Sequence, residues 1–158
     1  QWLRDRDQGG WVREVVSHFL FIINRSLGTT SLNDVLISYP DGPAGKLAET
    51  DLLASLDSGG KPLAIKGTSG GAGPDIVNLT IRGTNSAVRI WDWYRLQVCE
   101  DGDWRDLLGT DRAELGMNAY TEQLDQLALM IEGDTSLIAS FNEALAVQEI
   151  VEEILSSQ

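Results

Sequence analysis

One cysteine, one histidine and four prolines are all that 158 residues contain of these types. The single thiol, Cys99, forms no internal disulfide, and no Cys/His cluster is present that would hold zinc. Such cysteine usage points to a reducing compartment, and the chain is expected in the cytoplasm. Long apolar runs are missing as well. The longest, "FLFII" at 19–23, falls far short of the about 20 residues that cross a bilayer, and no signal peptide is visible. Without secretion, the glycosylation patterns at Asn24 and Asn78 carry no meaning. Positive charge is scarce, with 12 Lys and Arg against 24 Asp and Glu and a formal net charge of -12. That surface repels phosphate backbones and anionic lipid, so neither nucleic acid nor membrane is expected as a partner. No Walker pattern and no G-x-G-x-x-G occurs, which leaves the chain without a recognisable nucleotide site.

What is present is an ordinary globular balance, 42% hydrophobic and 23% charged, in a length suited to about one domain. Residues 10–27 read as a helix that Gly28 closes with a positive φ. At about 100° per residue, Val12, Val15, Val16, Phe19, Leu20, Ile22, Ile23 and Leu27 fall on one arc. Arg13, Glu14, Ser17, His18, Asn24 and Arg25 fall on the other, with Phe21 as the misfit among them.

The middle of the chain changes period. "DVLISY" at 34–39 is β-like; "ETDLLASL" and "PLAIKGTS" flank the hairpin signal "DSGGK". "DIVNLTIRG" and "AVRIWDWYRLQV" flank a turn at 83–86, and Asp101-Gly102 supplies another. Strands joined by turns this short pair antiparallel, because a parallel sheet needs helical crossovers. Helical period returns in "AYTEQLDQLALMIEGD", with Leu124, Leu127, Ala128 and Ile131 on one stripe. The last helix, "SFNEALAVQEIVEEILSS", opens with a capping box, Ser140 and Glu143. Its stripe is Phe141, Leu145, Ile150 or Val151, Ile154 and Leu155. The expected fold is α+β: an N-terminal helix, a mostly antiparallel open sheet, then two C-terminal helices, packed on one sheet face.

Three motifs invite a chemical reading. "GTSGG" at 67–71 satisfies the G-x-S-x-G of serine hydrolases, but no helix follows and the histidine lies upstream, so Ser69 reads as a turn residue. Trp91 and Trp93 would share a strand face, either as sheet packing or as a platform for carbohydrate or a partner. Glu14 and His18 stand four apart on a helix, where their side chains can meet. A carboxylate beside an imidazole fixes its tautomer and suits it to move a proton near neutral pH. A solvated surface pair is the competing reading.

In its surroundings this stretch resembles the C-terminal domain of the glucose–fructose oxidoreductase / inositol dehydrogenase family, whose first helix there carries GG-x-x-x-D-x-G-x-H-x-x-D. Gly9, Gly10 and His18 match in register. Glu14 replaces the first Asp, Val16 the Gly and Phe21 the last Asp. The tail "NEALAVQEIVEEILSS" and the hairpins from "ETDLLASL" to "AVRIW" are similar to the family's closing helix and sheet.

The resemblance implies an NAD(P)-dependent oxidoreductase acting on a sugar, polyol or related hydroxyl compound. It implies His18 as acid/base with Glu14 orienting it, and Arg13, Phe21 and Arg25 as the substrate-pocket wall. The family's NAD or NADP sits in an N-terminal Rossmann domain carrying an E-K-P motif. Lys61-Pro62 follows Gly60 in a hairpin and is not that motif. The chain opens at Gln1 with no Met before Met117, so it is expected to be a C-terminal piece over 1–158, inactive alone and binding no dinucleotide. A homo-oligomer, at least a dimer, is expected through the sheet face. The alternatives are a non-catalytic sugar-sensing relative and a dimerisation module of the same fold.

Overall fold

The computed structural model describes residues 2–42, 46–109 and 111–157. They divide into two compact units: Gln1–Ala72 together with Ala139–Gln158, and Gly73–Ile138.

In the first unit the helix opens as a π turn over Val12–Val16 and continues as α1, Ser17–Leu27. Gly28 closes it at φ 106, a backbone that favours glycine. Three antiparallel strands follow, β1 (Thr30–Ser38), β2 (Asp51–Ser58) and β3 (Lys61–Thr68), in the order β1-β2-β3. The β2–β3 hairpin turns on Gly59 and Gly60 at φ 57 and 77, the two positive values that a type I′ turn requires. A Cβ on Gly59 would strike the Leu27 carbonyl at the end of α1, so this turn and the helix end need that glycine together. Ser58 then donates from Oγ to the Gly28 carbonyl at 2.7 Å.

Strand β2 alternates with period two: Leu52, Ala54, Leu56 and Ser58 are buried, while Asp51, Leu53 and Ser55 are exposed. Its inner face meets Leu32, Val35 and Ile37 of β1, one register shift being taken up between Leu32 and Asp34, and Leu63 and Ile65 of β3. Over this face pack Val12, Val16 and Leu20 of the first helix and Val147, Val151, Ile154 and Leu155 of α3 (Phe141–Ser156). Burying a Leu, Ile or Val side chain in full contributes about 1.5–3 kcal/mol. One sheet face thus carries the helices and the other is open. The capping box is complete: Ser140 Oγ accepts the Glu143 amide while Glu143 accepts the Ser140 amide. The expected α3 stripe is right in its second half only. Phe141 is 96% exposed and Leu145 57%, because the core contact begins at Val147.

The second unit is a meander of four antiparallel strands in order, β4 (Asn78–Arg82), β5 (Ala87–Trp91), β6 (Arg95–Cys99) and β7 (Trp104–Asp106), followed by α2 (Arg112–Glu132). The strands therefore form two sheets rather than one, with residues 69–77 carrying no regular element. "AVRIWDWYRLQV" is two strands. The chain reverses after Trp91, with positive φ at Asp92 (47) and Trp93 (69), and Trp91 pairs with Arg95. Trp93 sits in that turn and does not share a strand face with Trp91; alternation alone could not reveal a turn built on a bulky residue.

Helix α2 starts earlier than the periodicity suggests, its N-cap Asp111 accepting the Glu114 amide at 2.8 Å. It ends at Gly133 as expected. Its expected core stripe is exposed: Leu124 48%, Leu127 38% and Ile131 75%. The buried residue of α2 is Leu115.

Candidate functional site

The Gly9-Gly10 pair has a steric cause. A Cβ at Gly9 would strike the Trp2 and Leu3 backbone, and one at Gly10, where φ is 101, would strike the Glu49 carboxylate. Glu49 is 2% exposed. Its Oε1 accepts the Val12 amide at 2.8 Å, placing a carboxyl oxygen at the N-terminus of the helix that carries His18. The π turn follows at once, with the Ser17 amide bonding to the Val12 carbonyl. Such one-residue expansions often accompany functional sites. The wider turn alters the bearing of Glu14 relative to His18 from that of a regular helix.

Glu14 and His18 are both exposed. Glu14 and Arg13 line a cavity of about 440 Å³ with Trp2, Asp7, Gly10 and Glu152; His18, Phe21 and Arg25 do not. The cavity wall is acidic. Its one guanidinium is already engaged: Arg13 Nε and Nη2 donate to the two Glu152 oxygens at 2.7 and 2.8 Å, and Nη1 donates to the Arg6 and Gly9 carbonyls. The Glu152 hydrogen bond, with added Coulombic attraction, holds the Arg13 pKa above its ordinary value. Glu152 is correspondingly held low by Arg13. Arg13 ties α3 and the N-terminal segment to the first helix.

Arg25 is also committed. Its Nε lies 2.7 Å from Glu143 Oε1, and its guanidinium lies 4.5 Å from the centre of the Phe21 ring. The Phe21 ring is half-buried and packs against the core. That corrects its place on the polar arc: the ring bridges the core and the Arg25 side chain. The geometry thus brings Arg13 and Glu14 together at one cavity and leaves His18 farther along the same helix. Glu49, Glu152 and Asp7 went unnoticed in the sequence. Two adjacent glycines before a helix were the available sign that another group approaches closely there.

The three helix N-termini offer a pyrophosphate no free place. Pyrophosphate is held at helix N-termini by free amides and a positive dipole end. Here Glu49 fills the first helix N-terminus, Asp111 caps α2, and Ser140 with Glu143 caps α3. Each of the three presents a carboxylate where a phosphate would have to lie. Among the described residues no group of three or more His, Cys, Asp or Glu could hold a metal ion, and no helix is long and apolar enough to cross a membrane.

No family model and no curated protein matches the sequence. The structure does match solved ones. A dehydrogenase from Clostridium difficile aligns with a TM-score of 0.74 at 12% identity, over 98% of this chain and 49% of that one. An oxidoreductase from Thermotoga maritima aligns at 0.71 and 14% identity, over 99% and 45%. An oxidoreductase from Agrobacterium radiobacter, in complex with NAD+, L-tartaric acid and magnesium, aligns at 0.58 and 18% identity, over 87% and 44%. The chain spans about half the length of each of these structures. Its fold is the one that about half of each of these structures adopts.

Proposed function

We propose that this chain is the C-terminal half of an NAD(P)-dependent oxidoreductase acting on a sugar, polyol or related hydroxyl compound. His18 takes or returns the proton of the substrate hydroxyl, and Glu14 orients it. The dinucleotide is held by a Rossmann domain outside these residues. The observation that carries the reading is the helix start: Gly9 is sterically required beside the Trp2–Leu3 backbone and Gly10 beside Glu49, and the same helix presents Glu14 and His18 to solvent. The half-length match to dehydrogenases supports it. Arg13 and Arg25 act in this reading as braces behind the pocket rather than as direct substrate ligands, since glutamates already hold both.

The test is a substrate screen on the full-length protein, read by nicotinamide absorbance, with His18→Ala alongside. Turnover that depends on His18 supports the proposal; unchanged turnover in His18→Ala rejects it. Binding of NADH or NADPH by the isolated chain would also count against it. The non-catalytic sugar-sensing reading rests on Glu14, Val16 and Phe21, which depart from the family pattern. It gains if the full-length protein binds a sugar and turns nothing over.

A further inference from the structure

One face of the second sheet carries an unusual set of polar and aromatic side chains. The strand register places Thr80, Arg89, Gln97 and Asp106 in one row across β4 to β7. Trp91 and Trp104 flank that row on the same face, as period two requires. The Arg89 guanidinium lies between their rings, 5.1 Å from the centre of Trp91 and 4.1 Å from that of Trp104. Its Nε donates to Gln97 Oε1 at 2.6 Å. Gln97, 5% exposed, passes its own N–H to Asp106 Oδ1 at 3.1 Å. Arg89 is thus fixed in orientation from three sides.

Among the described residues Arg89 has no ion pair of its own, though it attracts Asp106 from beyond contact. Asp106 is the nearby carboxylate, and Arg95 already holds both of its oxygens at 3.1 and 2.8 Å. Two arginines against one aspartate leave one positive charge over. Among the described residues nothing hydrogen-bonds to Nη1 or Nη2 of Arg89, so the outer edge of the guanidinium keeps its donors. Arg82 lies two residues beyond Thr80 on the same face and has no ion pair among the described residues. In a chain with a net charge of -12, a cation that aromatic rings hold in place, and that no acid among the described residues pairs with directly, is a local reversal of the field.

We propose that this face of β4–β7 is a binding site for a small planar carboxylate, with Arg89 as its anchor. A carboxylate matches the two-pronged donor edge of a guanidinium. The indoles offer flat apolar surface on which a planar body continues the stack, and Arg82 adds attraction from the side. The site lies wholly within residues 78–106 and involves none of the groups around His18.

The experiment titrates the full chain with benzoate, followed by calorimetry and by amide chemical shifts, with inorganic phosphate as the comparison. The expected result is saturable benzoate binding that moves the amides of β5 and β6. Arg89→Gln should weaken it by about tenfold or more, and Arg89→Lys should also weaken it by losing the planar fork. Arg112→Gln should leave it unchanged. Circular dichroism reports whether each variant is folded; if Arg89→Gln is not, Arg89→Lys and Arg82→Gln decide. Absence of saturable benzoate binding overturns the proposal. So does binding that survives Arg89→Lys and Arg82→Gln at full strength, or a preference for phosphate over benzoate.

Discussion

Glu49 accepts the Val12 amide at 2.8 Å from 37 residues along the chain, and the backbone at Gly10 leaves it the room to do so. Removing the acceptor strands a buried amide at the helix start. Glu49→Ala should cost about 1–3 kcal/mol, read as a lower urea midpoint; Glu49→Gln, which keeps an acceptor oxygen, should cost less. Gly10→Ala should destabilise by more than about 1 kcal/mol, because alanine is strained at φ 101 and has no space beside the carboxylate.

The Arg25–Glu143 pair makes a pH prediction. Arg25 foremost, and then the Ser140 cap, hold the Glu143 carboxyl down from 4.5 to about 2. A carboxyl depressed on folding adds stability that is present above its ordinary pKa and is lost as pH falls towards the folded value. The difference in denaturation midpoint between the wild type and Glu143→Gln should therefore shrink as pH drops from 4.5 towards 2. A difference that stays constant across that window would show that the charge of Glu143 contributes nothing.

Phe21→Asp, which introduces the residue of the pattern that the first helix resembles, should be destabilising. The ring packs against the core and under Arg25, so its loss should cost roughly 1–3 kcal/mol. Thermal unfolding of the isolated chain measures this. An unchanged melting temperature would mean that the ring contributes no packing.

In the full-length protein, His18→Ala should lower turnover by roughly 10² or more while leaving the melting temperature of the chain unchanged, since the side chain is exposed. Glu14→Gln should lower turnover less. Turnover is read by nicotinamide absorbance on the substrate found in the screen.

A homo-oligomer through a sheet face is the expected state, and it should appear by sedimentation at high protein concentration. Leu79, Ile81, Val88, Ile90, Leu96 and Val98 share one face of the second sheet. Val88→Asp should shift the distribution to monomer. A strictly monomeric wild type would reject the oligomer.

Periodicity made the first helix, the Gly59-Gly60 hairpin and the Ser140–Glu143 box legible, because each is decided within a few residues. It misplaced what depends on distant partners. The α2 stripe of Leu124, Leu127 and Ile131 is amphipathic without being buried, and amphipathicity says only that a face could be covered. Phe21 is drawn into the core by its neighbours, against the arc it occupies. At the candidate site, His18 could be read from its spacing to Glu14, and Gly9 and Gly10 from the resemblance. Glu49 could not, since nothing local distinguishes a buried glutamate on the approach to a strand from the other acids of the chain.

The first unit is split in sequence, with residues 73–138 inserted between its two parts. This sets the order of events during synthesis. Strands β1 to β3 and the first helix leave the ribosome with their contacts to α3 still unmade. Val147, Val151, Ile154 and Leu155, which complete that core, are translated only after the whole inserted unit. Until then Leu52 and Leu56 are covered from the first helix alone, and the bidentate grip of Arg13 on Glu152 spans 139 positions yet to be closed. The second unit is contiguous and made of neighbouring hairpins, so its sheet can assemble first. Ribosome-stalled chains ending before residue 141 should therefore be protected from protease across β4 to β7 and cleaved readily in β1 to β3.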